Sequence, residues 1–168
     1  HKEGMGVAWH HVPDGIYDRG KTSTNRKEAD AVVQEVVRRL NDQQLNKLSI
    51  GVVTFSQAQQ KLIEDLLDSA RISDPSIEKF FSDDVLEPVF VKNLENVQGD
   101  ERDVILFSVC YGVDIHGKLL MNFGPMNREG GERRLNVAIT RAKQEVLVFS
   151  SIRADQIDLA RTRARGVQ

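Results

Sequence analysis

Short, unbroken runs of apolar residues alternate along this chain with segments that repeat at helical spacing, and this alternation limits the folds open to it. Strands are predicted at 7–12, 50–55, 89–93, 104–109 and 145–150, and helices at 25–41, 57–70 and 132–143. A strand that is apolar at every position must be buried on both faces. The pattern therefore predicts an α/β fold, a mainly parallel sheet with helices on both faces.

Length and composition describe one ordinary globular domain. The chain has 168 residues, of which 40% are apolar and 29% charged, and its net charge of −2 confines any nucleic-acid contact to a local patch. We expect a single domain over 1–168, cut from a longer protein, with flexible ends at 1–6 and 153–168. The single cysteine, Cys110, lies in an apolar run, which predicts a buried thiol and a reducing compartment. The sequence contains no signal peptide and no apolar run of roughly 18 residues, so it predicts a cytoplasmic protein without a membrane partner.

The segment 133–143 predicts a helix that carries two arginines on one face. Arg134 and Arg141 are seven residues apart, almost two helical turns, so they point the same way. Leu135, Ile139 and Ala142 form a neighbouring apolar stripe. Two guanidinium groups held on one face suit recognition of phosphate. The spacing alone leaves open an amphipathic surface helix with solvated arginines.

The segment Gly15–Thr22 matches the phosphate-binding P-loop pattern, G-x-x-x-x-G-K-[ST]. A P-loop needs a helix that begins at its Lys-Thr pair, so that backbone N–H groups face the phosphates. Here the helix signals come later, because Asn25 and Glu28 form a plausible capping box. We therefore predict that this segment is a loop without a P-loop function.

Three segments resemble motifs of superfamily 1 helicases, in the branch that includes the nonsense-mediated-decay RNA helicase. Residues 133–143, Arg-Arg-Leu-Asn-Val-Ala-Ile-Thr-Arg-Ala-Lys, resemble motif VI. Residues 97–105, Val-Gln-Gly-Asp-Glu-Arg-Asp-Val-Ile, resemble motif V. The strand at 50–55 with the glutamine that follows it resembles motif IV. The motifs stand in the family's order, and the resemblance covers about residues 20 to 152.

This resemblance implies a role for each matching residue. Arg141 corresponds to the arginine finger that reaches the γ-phosphate of ATP, and Arg134 supports it. The residues implied to contact ATP are Gln59, Lys61, Gln98, Gly99 and Glu101, and those implied to contact nucleic acid are Thr54, Asn93 and Asn96. Gly99 is expected beside the phosphates and Glu101 beside the ribose. Lys61 takes the place of a motif IV arginine that this chain lacks.

The resemblance also implies that the chain is one half of a motor. It is expected to be the second RecA-like domain of an ATP-dependent helicase, similar to large multidomain bacterial proteins, and to be inactive by itself. ATP and magnesium are expected to bind jointly with a first RecA-like domain that carries the P-loop. Single-stranded nucleic acid, with DNA favoured over RNA, is the expected partner. Two alternatives remain: a non-catalytic nucleic-acid-binding scaffold, and a self-sufficient P-loop NTPase that uses Gly15–Thr22.

Overall fold

One parallel sheet organises the protein. The computed structural model describes residues 6–119, 136 and 139–153. The strands are β1 (Gly6–His11), β2 (Ile50–Thr54), β3 (Phe90–Asn93), β4 (Arg102–Ser108) and β5 (Ala142–Ser150), and the α-helices are α1 (Arg26–Leu40) and α2 (Gln57–Ser73). Short 3-10 segments lie at Leu45–Lys47 and Pro75–Phe81. The strand order is β1-β5-β4-β2-β3 and all pairs are parallel, so the predicted α/β class is confirmed.

The predicted strands all exist, but the chain enters β5 earlier than expected. β5 begins at Ala142, where it pairs with Arg102 of β4. The last two residues of the helix predicted at 132–143 therefore belong to a strand, and the prediction is wrong there. Most of that predicted helix lies outside the described residues.

The two described helices pack on the same face of the sheet. Their buried positions, among them Val32 and Val36 of α1 and Ile63 of α2, form one core with Val52 and Leu106. The opposite face holds a second core, to which the connection 94–101 contributes Leu94 and Val97. This arrangement follows from right-handed crossovers, because α1 and α2 lead the chain one way across the sheet and the connection 94–101 leads it back.

The start of α1 confirms half of the predicted capping box. Asn25 is the N-cap, and its side chain accepts the N–H of Glu28 at 3.1 Å. The Glu28 side chain does not return to the backbone N–H of Asn25. Instead, that N–H donates to Gln59 Oε1 at 2.9 Å. Two helices are thereby joined at their first turns.

Because every strand runs the same way, the sheet has two distinct edges. We call the edge where the strands begin the amino edge, and the edge where they end the carboxyl edge. β4 is seven residues long, so the two edges lie about 20 Å apart. Motif residues that precede a strand lie at one edge, and those that end a strand or follow it lie at the other.

Candidate nucleotide and nucleic-acid sites

The amino edge brings the motif V and motif VI residues together. Gly99 adopts a φ of +82° in a turn closed by a bond from the Asp100 N–H to the Val97 carbonyl. This left-handed conformation favours glycine. β4 follows, and its Arg102 N–H donates to the carbonyl of Arg141 at 3.0 Å. Glu101 is exposed beside this contact. Glu101 and Arg141 are therefore neighbours, and Gly99 and the exposed Gln98 precede Glu101 by two and three residues.

Arg141 has hydrogen-bonding capacity to spare at this edge. The residue is half-buried, and its Nε is buried without a hydrogen-bond partner among the described residues. A buried donor on a permanently charged group needs an acceptor. An anionic oxygen would satisfy that need. Arg134, the second predicted catalytic residue, lies outside the described residues, so its role stays a prediction.

Gln59 and Lys61 do not belong to the amino edge. Both lie in the first turn of α2, which follows β2 directly and so stands at the carboxyl edge. Gln59 is fully buried, and its Nε2 donates to the Asn25 carbonyl at 3.0 Å and to Ser108 Oγ at 3.1 Å. Gln59 thus joins α1, α2 and β4 inside the protein, and its contact with ATP stays a prediction.

Lys61 is exposed and pairs with Asp65 one helical turn later, at 3.0 Å. The first turn of α2 follows the end of β2, whereas Arg141 directly precedes the start of β5. The ATP contact of Lys61 stays a prediction.

The carboxyl edge holds the three residues predicted to contact nucleic acid. Thr54 and Asn93 are register partners at the ends of β2 and β3. Both are buried, and both side chains already have partners inside the protein. The Thr54 hydroxyl donates to the Ser56 carbonyl at 2.7 Å, and Asn93 Nδ2 donates to Gln60 Oε1 at 2.8 Å. Only Asn96 is exposed. Because these two side chains are bonded inside the protein, Thr54 and Asn93 hold this edge in shape. Their predicted contact with a nucleic-acid strand stays a prediction.

A buried polar cluster lies beneath the carboxyl edge. Glu28 is fully buried, and its Oε1 accepts the Ser108 hydroxyl and the Cys110 N–H, each at 2.6 Å. Burial raises the pKa of Glu28 to about 8, against the opposing effect of these hydrogen bonds. Burial, together with the nearby Glu28, raises the pKa of the Cys110 thiol to about 12. Cys110 is thus the buried thiol that its apolar context predicted, without thiolate reactivity.

The segment Gly15–Thr22 is a loop, as predicted. α1 begins only at Arg26, beyond the Lys21-Thr22 pair. The Thr22 hydroxyl is bonded to Asp18 at 2.7 Å, and Gly15 faces inward, where an added Cβ would lie 2.7 Å from the Ser151 Cβ. This geometry is incompatible with a phosphate-binding loop, which must present its backbone N–H groups at a helix start.

Neither a metal site nor a membrane-spanning helix is found in the described ranges. No group of three or more His, Cys, Asp or Glu side chains in 6–119, 136 or 139–153 is arranged to hold a metal ion. None of the helices in that part of the chain combines the length and apolar character needed to cross a bilayer.

Comparison with known proteins places this architecture in a family. The sequence matches the AAA_12 family model, described as an AAA domain, over residues 3–153. The chain belongs to the AAA domain family. An AAA domain of this kind occurs in a Mycoplasma genitalium protein named "Uncharacterized ATP-dependent helicase MG140". It is 43% identical over 152 residues, which cover 87% of this chain and 12% of that protein.

More distant matches point the same way in sequence. Helicase sen1 of Schizosaccharomyces pombe is 26% identical over 165 residues, which cover 89% of this chain and 9% of that protein. A crystal structure of the C-terminal domain of a possible DNA helicase from Lactobacillus plantarum matches 89% of this chain and 75% of its own. Its identity is 13% and its TM-score 0.49.

The similarity to helicases predicted from the motifs is thus confirmed by the names of these relatives. The AAA domain described here spans only 12% and 9% of the length of these two relatives. What the whole protein binds and does is therefore a matter for proposal.

The sequence analysis missed the residues that hold the two edges in shape. Glu28 gave a usable signal, because it shares the i, i+4, i+8 stripe of α1 with Val32 and Val36. A carboxylate in an apolar stripe predicts a buried polar partner. Arg102 gave no such signal, because the carbonyl groups of Pro88 and Arg141 that it contacts are distant from it in sequence.

Proposed function

We propose that this AAA domain is the second motor domain of an ATP-dependent nucleic-acid helicase or translocase. Arg141 would act as the arginine finger at an ATP site shared with a first RecA-like domain of the same protein. The observation that supports the proposal is the bond between the Arg102 N–H and the Arg141 carbonyl, which brings the end of motif VI against the residue that follows Glu101 of motif V. The helicase names of the relatives support the same reading.

The chemistry asked of this domain is charge stabilisation. In phosphoryl transfer the protein contributes positioning and electrostatics, and an arginine supplied across an interface can be worth roughly 10³–10⁵ in rate. The buried Nε of Arg141, which has no partner in the part of the chain that the structure describes, is a donor that suits a phosphate oxygen. Glu101 would accept a hydrogen bond from the ribose, and the turn at Gly99 would allow close approach of the backbone. Magnesium would balance phosphate charge, held by the first domain, since the described residues offer no acidic cluster for it.

Nucleic acid would lie along the carboxyl edge, opposite the nucleotide. Asn96 is the exposed candidate there, and the buried Thr54 and Asn93 would shape the surface. Closure around ATP at one edge would then change the grip on a single strand at the other. Binding would be mostly to phosphates and therefore sensitive to salt. We propose single-stranded DNA rather than RNA as the first substrate to try.

A non-catalytic scaffold is the second candidate. It is favoured by the missing motif IV arginine, in whose place the chain carries Lys61, which pairs with Asp65 at 3.0 Å. The self-sufficient P-loop NTPase has no comparable support, because Gly15–Thr22 does not lead into a helix.

The experiment that tests the proposal is nucleic-acid-stimulated ATPase activity in the full-length protein. Arg141→Ala should lower kcat by about 10³-fold, because it removes charge stabilisation from the transition state. Arg26→Ala, at an exposed arginine that pairs with Asp30 one helical turn later, is the matched control and should leave kcat within about twofold. Absence of stimulated hydrolysis in the unmodified protein would favour the scaffold. Normal kcat in Arg141→Ala would reject the arginine-finger role.

A further inference from the structure

Arg102 lies between the two halves of the proposed nucleotide site. It is the first residue of β4, directly after Glu101 and opposite Ala142 of β5. Its backbone N–H donates to the Arg141 carbonyl at 3.0 Å. A single residue thus touches the motif VI arginine through its main chain while following the motif V glutamate in sequence.

The Arg102 side chain donates hydrogen bonds to backbone carbonyl groups of the protein itself. Its Nη1 donates to the Glu101 carbonyl at 2.7 Å, and its Nε donates to the Pro88 carbonyl at 3.0 Å. The guanidinium lies over the Phe90 ring, 4.9 Å from its centroid. Stacking of this kind stabilises a guanidinium and fixes its plane.

The ring beneath the guanidinium is itself immobilised. Phe90 packs so closely on Gly51 of β2 that a Cβ added there would lie 2.4 Å from the ring. The start of β4 is also fastened independently of Arg102. Asp103 accepts the N–H of Ser49 at 2.9 Å, and Ser49 Oγ accepts the N–H of Asp103 at 2.9 Å. Loss of the Arg102 side chain should therefore loosen Glu101 without detaching β4.

We propose that Arg102 is a positioning residue that keeps Glu101 and Arg141 in one fixed relation. This inference rests on the proposed function, because it assigns Arg102 a purpose only if those two residues face ATP. Positioning catalysis is intolerant of displacement, and a misplacement of about 1 Å can cost roughly 10²-fold in rate. Without the guanidinium, the Glu101 carbonyl loses its hydrogen bond from a side chain that stacks on Phe90 of β3. The ion pair between Lys92 of β3 and Asp100 still holds the turn before it, so the expected displacement is confined to Glu101 and the start of β4.

The test uses the full-length protein with Arg102→Ala, Arg102→Lys and a matched control, Arg71→Ala. Arg71 also stacks on a phenylalanine, Phe81, at 4.6 Å, and its ion-pair partners, Asp68 and Glu78, belong to neither the motif V nor the motif VI segment. Arg102→Ala should lower kcat/KM for ATP roughly tenfold or more. Arg102→Lys keeps one donor and should restore part of that loss. Arg71→Ala should stay within about twofold of the unmodified protein.

The Michaelis constant separates positioning from simple destabilisation. A smaller folded fraction lowers kcat and leaves KM unchanged, whereas a displaced Glu101 should raise KM several-fold. A KM unchanged in Arg102→Ala would overturn the inference, as would an effect on kcat/KM no larger than that of Arg71→Ala.

Parallel measurement of Arg141→Ala distinguishes the two failures. If Arg102→Ala leaves kcat and KM unchanged while Arg141→Ala abolishes activity, only the positioning role is rejected. If neither substitution changes kcat or KM, the proposed function is rejected. If Arg102→Ala fails to fold, Phe90→Leu removes the ring under the guanidinium, and the same rise in KM, at smaller amplitude, is expected from it.

Discussion

At the scale of single residues, Glu28 is the group whose environment departs furthest from water. Its carboxyl group is buried between α1 and the end of β4, with the Ser108 hydroxyl and the Cys110 N–H as donors. Burial raises the pKa of Glu28 from 4.5 to about 8. The folded protein therefore binds a proton that the unfolded chain releases between about pH 4.5 and pH 8. Between these two pH values the free energy of unfolding therefore falls as the pH rises.

Replacing Glu28 with glutamine should remove this dependence on pH. The free energy of unfolding of the unmodified chain should fall by roughly 3 to 4 kcal/mol from pH 5 to pH 8 through Glu28 alone. Glu28→Gln should abolish that part of the slope, because the amide does not titrate. Urea unfolding at several pH values measures it. Asp30→Asn, in the same helix but in an exposed pair with Arg26, should keep the original slope. An unchanged slope in Glu28→Gln would contradict a protonated, buried Glu28.

At the scale of elements, β2 and β3 are joined by a close approach at Gly51. The ring of Phe90 occupies the space where a side chain on Gly51 would stand. Gly51 lies in a strand buried along its whole length, so neither neighbour can move far.

Gly51→Ala should therefore destabilise the chain by about 1–3 kcal/mol through overpacking. Urea unfolding at constant pH measures the effect. Phe90→Leu in the same chain should recover part of the loss, since it removes the clashing ring atoms. Gly6→Ala is the matched control, because nothing lies within 4 Å of a Cβ added to that strand residue. Equal effects of Gly51→Ala and Gly6→Ala would argue against the packing described here.

The elements were predictable because their signals are local. Continuous apolar runs predicted β2 and the buried parts of β4 and β5, since a strand buried on both faces has no polar positions. β1 was also predicted, although it is exposed along its whole length. The start of β5 at Ala142 was not predictable, because it is set by pairing with Arg102 of β4 and not by local preference. The hydrogen bonds of Gln59 to Asn25 and Ser108 were not predictable either, because they join residues far apart in sequence.

At the scale of the whole molecule, the parallel sheet separates two sets of candidate residues by its own length. Gly99, Glu101 and Arg141 stand at the amino edge, and Thr54 and Asn93 at the carboxyl edge. The chain covers 12% and 9% of the length of two relatives. Under the proposed function, its candidate nucleotide site would form one wall of a cleft shared with a first RecA-like domain. The 168-residue chain alone is expected to hydrolyse almost no ATP.

The most direct test compares Arg141→Ala with Lys21→Ala in the full-length protein, with kcat for nucleic-acid-stimulated ATP hydrolysis as the measurement. Lys21 is the lysine of the P-loop-like segment, which lies in a loop before α1. We predict that Arg141→Ala loses about 10³-fold in kcat while Lys21→Ala remains close to the unmodified protein. Loss of activity in Lys21→Ala, with Arg141→Ala still active, would contradict the assignment of this domain as the arginine-supplying half of the motor.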